Sequence, residues 1–129
     1  GIRSFSKVLI AIRPGRRNKR LIDVADKICR HFGASLTLLN IVSESDSNQK
    51  IKRTEKSSSE LISETKSKSV VKIIKSNNPV EAISEESASY DLLILGTPEK
   101  DNWISVLFGA GEDRFVKKAA CSVLRLTIK

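Results

Sequence analysis

The chemistry this sequence comes nearest to encoding is the holding of a phosphate. Residues 95–115 read LGTPEKDNWISVLFGAGEDRF, with Gly96 closing an apolar run and Gly109 and Gly111 standing just before an amphipathic segment. Glycines in that setting let backbone N–H groups approach an anion at a helix N-terminus. Arg13, Arg16 and Arg17 supply positive charge after another apolar run. Little else in the chain could do chemistry. His31 is the single histidine, and its place in CRHFG suits a helix C-terminus, where positive charge is favoured. The two cysteines, Cys29 and Cys121, have no second Cys or His at ligand spacing and read as small buried hydrophobes.

The elements that must position these residues follow from apolar periodicity. KVLIAI (7–12) is a continuous β-branched run, the pattern of a strand buried on both faces. Leu21, Ala25, Ile28 and Phe32, with Ile22 and Cys29 beside them, share one face at helical spacing, and Gly33 supplies the stop. ASLTLLNIV (34–42) is a second strand. The Ser-, Lys- and Glu-rich stretch after it reads as a loop over 43–49 and a weakly amphipathic surface helix over 51–66. VVKIIK (70–75) predicts a third strand, and SNNPVEAISEESAS a helix capped by Asn78 with Pro79 at its first position. YDLLILG is a fourth strand; after the glycine loop come a short helix in GEDRFVKKAA and a fifth strand in CSVLRLTI. Such alternation predicts a parallel α/β sheet covered by helices on both faces. Its ligands would bind outside the C-terminal strand ends.

Composition bounds the rest. The 129 residues suffice for one domain, and 40% apolar content is that of an ordinary globular chain. No apolar run approaches the roughly 18 residues of a membrane span, and two cysteines do not make a disulfide framework, so a soluble protein in a reducing, cytoplasmic setting is expected. With no methionine anywhere, the chain reads as processed, trimmed or excised from something larger. The net charge of +8 is concentrated: residues 1–33 hold nine Lys or Arg against two Asp. That basic surface could meet nucleic acid, anionic lipid or a phosphate ligand. The few aromatic residues are not interleaved with the basic runs, so nucleic acid is not the expected partner. Neither a Ser-Gly-Gly pyrophosphate loop nor a G-x-x-x-x-G-K-[ST] loop occurs, and no cluster offers acid, base or metal ligation, which disfavours an adenylating enzyme.

Taken together, KVLIAI, GASLTLLNIV, YDLLILG before a long glycine loop and FVKKAACSVLRL at the end resemble the universal stress proteins over the whole chain. The closing stretch is the most specific. It is similar to Val-x-x-x-Ala-x-Cys-x-Val-Leu, with Val116, Ala119 or Ala120, and Cys121 to Leu124 as the matching residues. The resemblance implies a single domain over residues 1–129 with a flavodoxin-like, Rossmann-like five-stranded parallel sheet in the order 3-2-1-4-5. It implies homodimers through the last strand, and ATP or AMP as ligand in some members only. Binding members carry Gly-x2-Gly-x9-Gly-[Ser/Thr] after the fourth strand and an Asp at the end of the first. Laid on this chain, the glycines fall on Gly96, Glu99 and Gly109, the hydroxyl residue on Ala110 and the Asp on Arg13. The frame of the motif survives while its chemistry does not.

The candidate nucleotide-binding residues implied are therefore Arg13, Val42, Gly96, Thr97, Gly109, Ala110 and Gly111. No catalytic residue, metal site or certain cofactor is expected. Arg-Pro-Gly at 13–15 is more similar to universal-stress-type domains appended to the cytoplasmic ends of amino-acid permeases and cation transporters. The implied function is a non-catalytic regulatory or sensing domain with weak or lost adenine-nucleotide binding, joined to such a transporter. A free-standing ATP- or AMP-binding protein is the alternative.

Overall fold

The computed structural model describes residues 6–12, 19–96 and 122–126. Its elements run β1 (Lys7–Ile12), α1 (Lys19–Phe32), β2 (Ser35–Val42), α2 (Asn48–Ile62), β3 (Ser69–Lys75), α3 (Pro79–Ser87), β4 (Leu92–Gly96) and β5 (Ser122–Leu126). All the pairings are parallel. β1 lies between β2 and β4, β3 lies outside β2, and β5 runs beside β4. This is the parallel α/β architecture that the alternating pattern predicts.

Burial explains why each run became a strand. In β1 everything after Lys7 is buried, because side chains on both faces meet a helical layer. Val8, Ile10 and Ile12 join Leu36 and Leu38 of β2 beneath Leu21, Ile22, Ala25 and Cys29 of α1, with Leu61 and Ile62 of α2 at the margin. Leu9 and Ala11 point the other way, onto Leu39, Leu93, Leu95 and Ile83 of α3. The period-2 alternation of a strand thus sends one run into two cores. By contrast, β3 alternates between half-buried and exposed, as an edge strand does, and Val70 is exposed.

Helix boundaries follow local side-chain chemistry. α1 ends at Gly33, whose φ of 67° reverses the chain into β2 at no steric cost. α3 begins as the sequence predicts: Asn78 caps it by accepting from the N–H of Glu81, and Pro79 opens the first turn. α2 departs from expectation at both ends. It starts three residues earlier than predicted, because Ser47 accepts from the N–H of Lys50 and makes residue 48 helical. It stops at Ile62 rather than running to 66. There the hydroxyls of Ser63 and Thr65 donate to the carbonyls of Glu60 and Ile62, a side-chain competition that unwinds the last turn. Phe32 also departs: expected on the buried face, it is 38% exposed, with its ring edge-on to that of His31 at a centroid distance of 4.8 Å.

Two carboxylates tie the layers together. Asp91, before β4, accepts from the N–H groups of Ser6 and Lys7 and from the Ser6 hydroxyl, fixing the entry to β1. Asp26, buried on α1, accepts from the N–H groups of Lys66 and Ser67 and the Ser67 hydroxyl, which docks α1 onto the turn before β3.

Candidate functional site

Parallel strands deliver their C-terminal ends to one edge, and register decides which residues meet there. Ile12 stands opposite Asn40, Leu95 opposite Ala11, and Val42 opposite Lys75. Gly96, one residue past Leu95, is therefore level with Ile12, and Val42 lies two residues beyond that level on the other side of β1. With strands about 4.8 Å apart and a rise of about 3.3 Å per residue, Val42 and Gly96 stand roughly 12 Å apart across the β1 end. These are two of the seven residues that the sequence nominates, and the fold brings both to this edge. The other five, Arg13, Thr97, Gly109, Ala110 and Gly111, lie outside the described residues, as do Glu99 and Cys121.

The β2 side of the edge is a closed hydrogen-bonded rim. The Val42 carbonyl accepts from the N–H of Ser76 at 2.8 Å, so the chain leaving β3 is sewn to the end of β2. Beyond it, Asn77 bridges the two loops: its Oδ1 accepts from the Ser43 hydroxyl at 3.0 Å and the Glu44 N–H at 3.1 Å, while its Nδ2 donates to Glu44 Oε2 at 3.0 Å. Asp46 accepts from the Ser43 N–H and pairs with Lys50 at 3.3 Å. The rim is preorganised by these bonds, and its polar side chains are already engaged with one another. Sequence reading missed Asn77 and Ser47; for Ser47 the available signal was its position directly before a helical pattern, where Ser satisfies backbone donors.

Beneath the rim, Asn40 is 1% exposed and its Nδ2 donates to the Ser58 hydroxyl of α2. Its Oδ1 has no hydrogen-bond partner among the described residues. The amide sits on the strand next to β1, at the level of Ile12.

Nothing among the described residues is arranged for covalent or acid–base chemistry. Cys29 is buried and free, donates weakly to the Ser35 carbonyl, and has its thiol pushed up to about 11 by burial and by the charge of Asp26. A thiol so protonated is not a nucleophile near neutrality. Among the described residues no group of three or more His, Cys, Asp or Glu side chains could hold a metal ion, and no helix is long and apolar enough to cross a membrane.

The C-terminal edge of a parallel α/β sheet is where ligands bind in folds of this kind, and the fold by itself does not set the chemistry done there. The profile of the universal stress protein family matches residues 4–126, and the chain belongs to that family. Solved structures share the fold. A universal stress protein in complex with cAMP superposes with a TM-score of 0.73 at 16% identity, over 97% of this chain and 98% of that one. The Archaeoglobus fulgidus universal stress protein in complex with dAMP gives 0.66 at 15% identity, over 98% and 100%. UspA from Lactobacillus plantarum gives 0.63 at 16% identity, over 97% and 99%. Among curated proteins none matches the sequence.

Proposed function

We propose that this chain is a non-catalytic regulatory or sensing domain of the universal stress type, in which adenine-nucleotide binding is weakened. The observation that carries the reading is the pairing of a retained frame with altered chemistry. Val42 and Gly96 sit at the ligand edge of the sheet, while Glu99 and Ala110 stand where binding members have glycine and a hydroxyl. Support for an adenine nucleotide as the ligand class comes from the neighbours solved with cAMP and dAMP.

The weakening is electrostatic. Two unit charges about 4 Å apart repel by about 4 kcal/mol at an effective dielectric near 20, an upper guide for a carboxylate facing a phosphate. The lost hydroxyl is worth about 1 kcal/mol. Calorimetric titration tests this with ATP, AMP and the variants Glu99→Gly and Ala110→Ser. Glu99→Gly is expected to recover more affinity than Ala110→Ser, and AMP to bind better than ATP. Tight Mg-ATP binding by the unmodified chain would overturn the reading and favour an ATP- or AMP-binding universal stress protein.

The setting we propose is the cytoplasmic end of an amino-acid or cation transporter, on the strength of Arg13-Pro14-Gly15 in place of the acidic first-strand end. The open reading frame upstream of Gly1 tests it by encoding membrane spans or none.

A further inference from the structure

Among the described helices charge is sorted by sheet face. α1 and α2, which cover one face, carry eight Lys or Arg against four acidic residues, whereas α3 on the other carries Glu81, Glu85 and Glu86 and no basic residue. Of these four, Asp26 is already engaged, buried in the hydrogen bonds it accepts from Lys66 and Ser67, and Glu64, just past α2, pairs with Lys19 at 2.9 Å. Arg20 and Lys27 of α1 and Lys52, Arg53 and Lys56 of α2 are exposed and form no ion pair among the described residues. Asp23, Glu55 and Glu60 temper this layer without reversing it.

On α1 the arrangement is finer. Arg20, Val24, Lys27 and His31 recur at four, three and four residues, so they form one stripe along the outermost line of the helix, over about 17 Å. Val24, between two cations, is 39% exposed, and Phe32 at the end of the same helix is 38% exposed. Cations flanking an exposed apolar side chain on the outside of a helix match a surface of anionic headgroups over acyl chains. A duplex would instead be read by hydrogen-bonding side chains entering a groove, and a single strand by stacked aromatics. The stripe offers neither Asn nor Gln, and its single aromatic ring, that of His31, lies edge-on to Phe32.

We propose that the α1–α2 face docks on an anionic lipid surface, with Arg20, Lys27, Lys52, Arg53 and Lys56 facing headgroups and Val24 entering between them. This surface lies on a helical face, apart from the strand-end edge, and the inference is independent of nucleotide binding. It holds whether the domain is tethered to a membrane protein or visits the membrane alone.

Co-sedimentation of the whole chain with phosphatidylcholine vesicles, with and without phosphatidylserine, tests it. Binding is expected only with phosphatidylserine, and is expected to fall steeply as salt shortens the screening length. Arg20→Gln/Lys27→Gln should weaken it about 25-fold, at about fivefold per cation. Arg53→Gln/Lys56→Gln provides a second pair if the first disturbs α1. Lys7→Gln/Lys72→Gln removes equal charge on the opposite, α3 side of the sheet and should change partitioning no more than about twofold. Val24→Asn should weaken binding without altering its salt dependence. Failure to bind phosphatidylserine vesicles, equal losses in the control pair, or tighter association with a DNA duplex than with the vesicles would each overturn the proposal.

Discussion

Replacing Asp26 with asparagine removes one charge and almost no volume from the junction between α1 and the turn before β3. Burial by itself raises the carboxyl's pKa. The hydrogen bonds from the Ser67 hydroxyl and N–H and from the Lys66 N–H, with the Arg30 guanidinium at 3.5 Å, outweigh it and hold the group below the usual aspartate value. Asparagine keeps one acceptor oxygen, which can still take the Ser67 N–H. Its amide then turns N–H groups toward the remaining donors, so at least one charge-assisted bond is lost and one donor is opposed. Bonds to a charged group are worth about 1.5–3 kcal/mol each, which sets the expected destabilisation of Asp26→Asn at about 2–3 kcal/mol near neutral pH. A carboxyl with a depressed folded-state pKa stabilises the fold above its unfolded-state value, near 4, and loses that contribution as pH falls through the folded value. Urea unfolding of both proteins from pH 7 downward should therefore show a constant gap above about pH 5 that narrows as the solution becomes more acid. A gap below about 0.5 kcal/mol at pH 7, or one that persists undiminished in strong acid, would refute the reasoning and show that water replaces the carboxylate.

Three further outcomes are expected. Ile83→Ala empties the fully buried anchor of α3 in the second core and should cost about 2–5 kcal/mol by the same urea assay, with nucleotide affinity unchanged in the protein that remains folded. In a Cys121→Ser background, Cys29 should resist a disulfide-exchange reagent at pH 8 in the native state and react at once in denaturant, because its thiol is pushed to about 11 by burial. We also propose self-association through the last strand, whose sequence alternates as a half-exposed edge does; sedimentation should show a dimer, and a monomer at high micromolar concentration would count against it.

How much was legible depended on whether a residue's role was local or tertiary. The run 8–12 and the run 92–95 announced interior strands because continuous apolar sequence has no other stable place in a small α/β domain, and the pairing of Val8 with Leu92 places them side by side. Asn78-Pro79 announced a helix start because capping is written in adjacent residues. Ser47 does the same work for α2, yet it sits in SESDSNQ, where any of several polar residues could cap and each equally suggests a loop. Phe32 has the spacing of a buried residue, but burial at the last turn depends on where the chain goes next, and the turn at Gly33 leaves its ring at the surface. At the candidate site, Val42 and Gly96 were reachable through the family resemblance. Asn77 was not, since its bridge joins loops that follow different strands and no spacing in the sequence expresses it.

The position of β1 has a consequence for synthesis. Its neighbour on one side, β2, begins at Ser35, but its neighbour on the other, β4, is more than 80 residues further along the chain. At about 5–20 residues per second, a ribosome needs roughly 4–17 s after making Val8 to deliver Leu92. Throughout that interval the emerging chain carries an apolar strand, destined for the interior, with one side unpaired. Vectorial production therefore builds this sheet outward from β1 toward β3 first, and leaves the side later closed by β4 as the open face that a nascent-chain chaperone would meet.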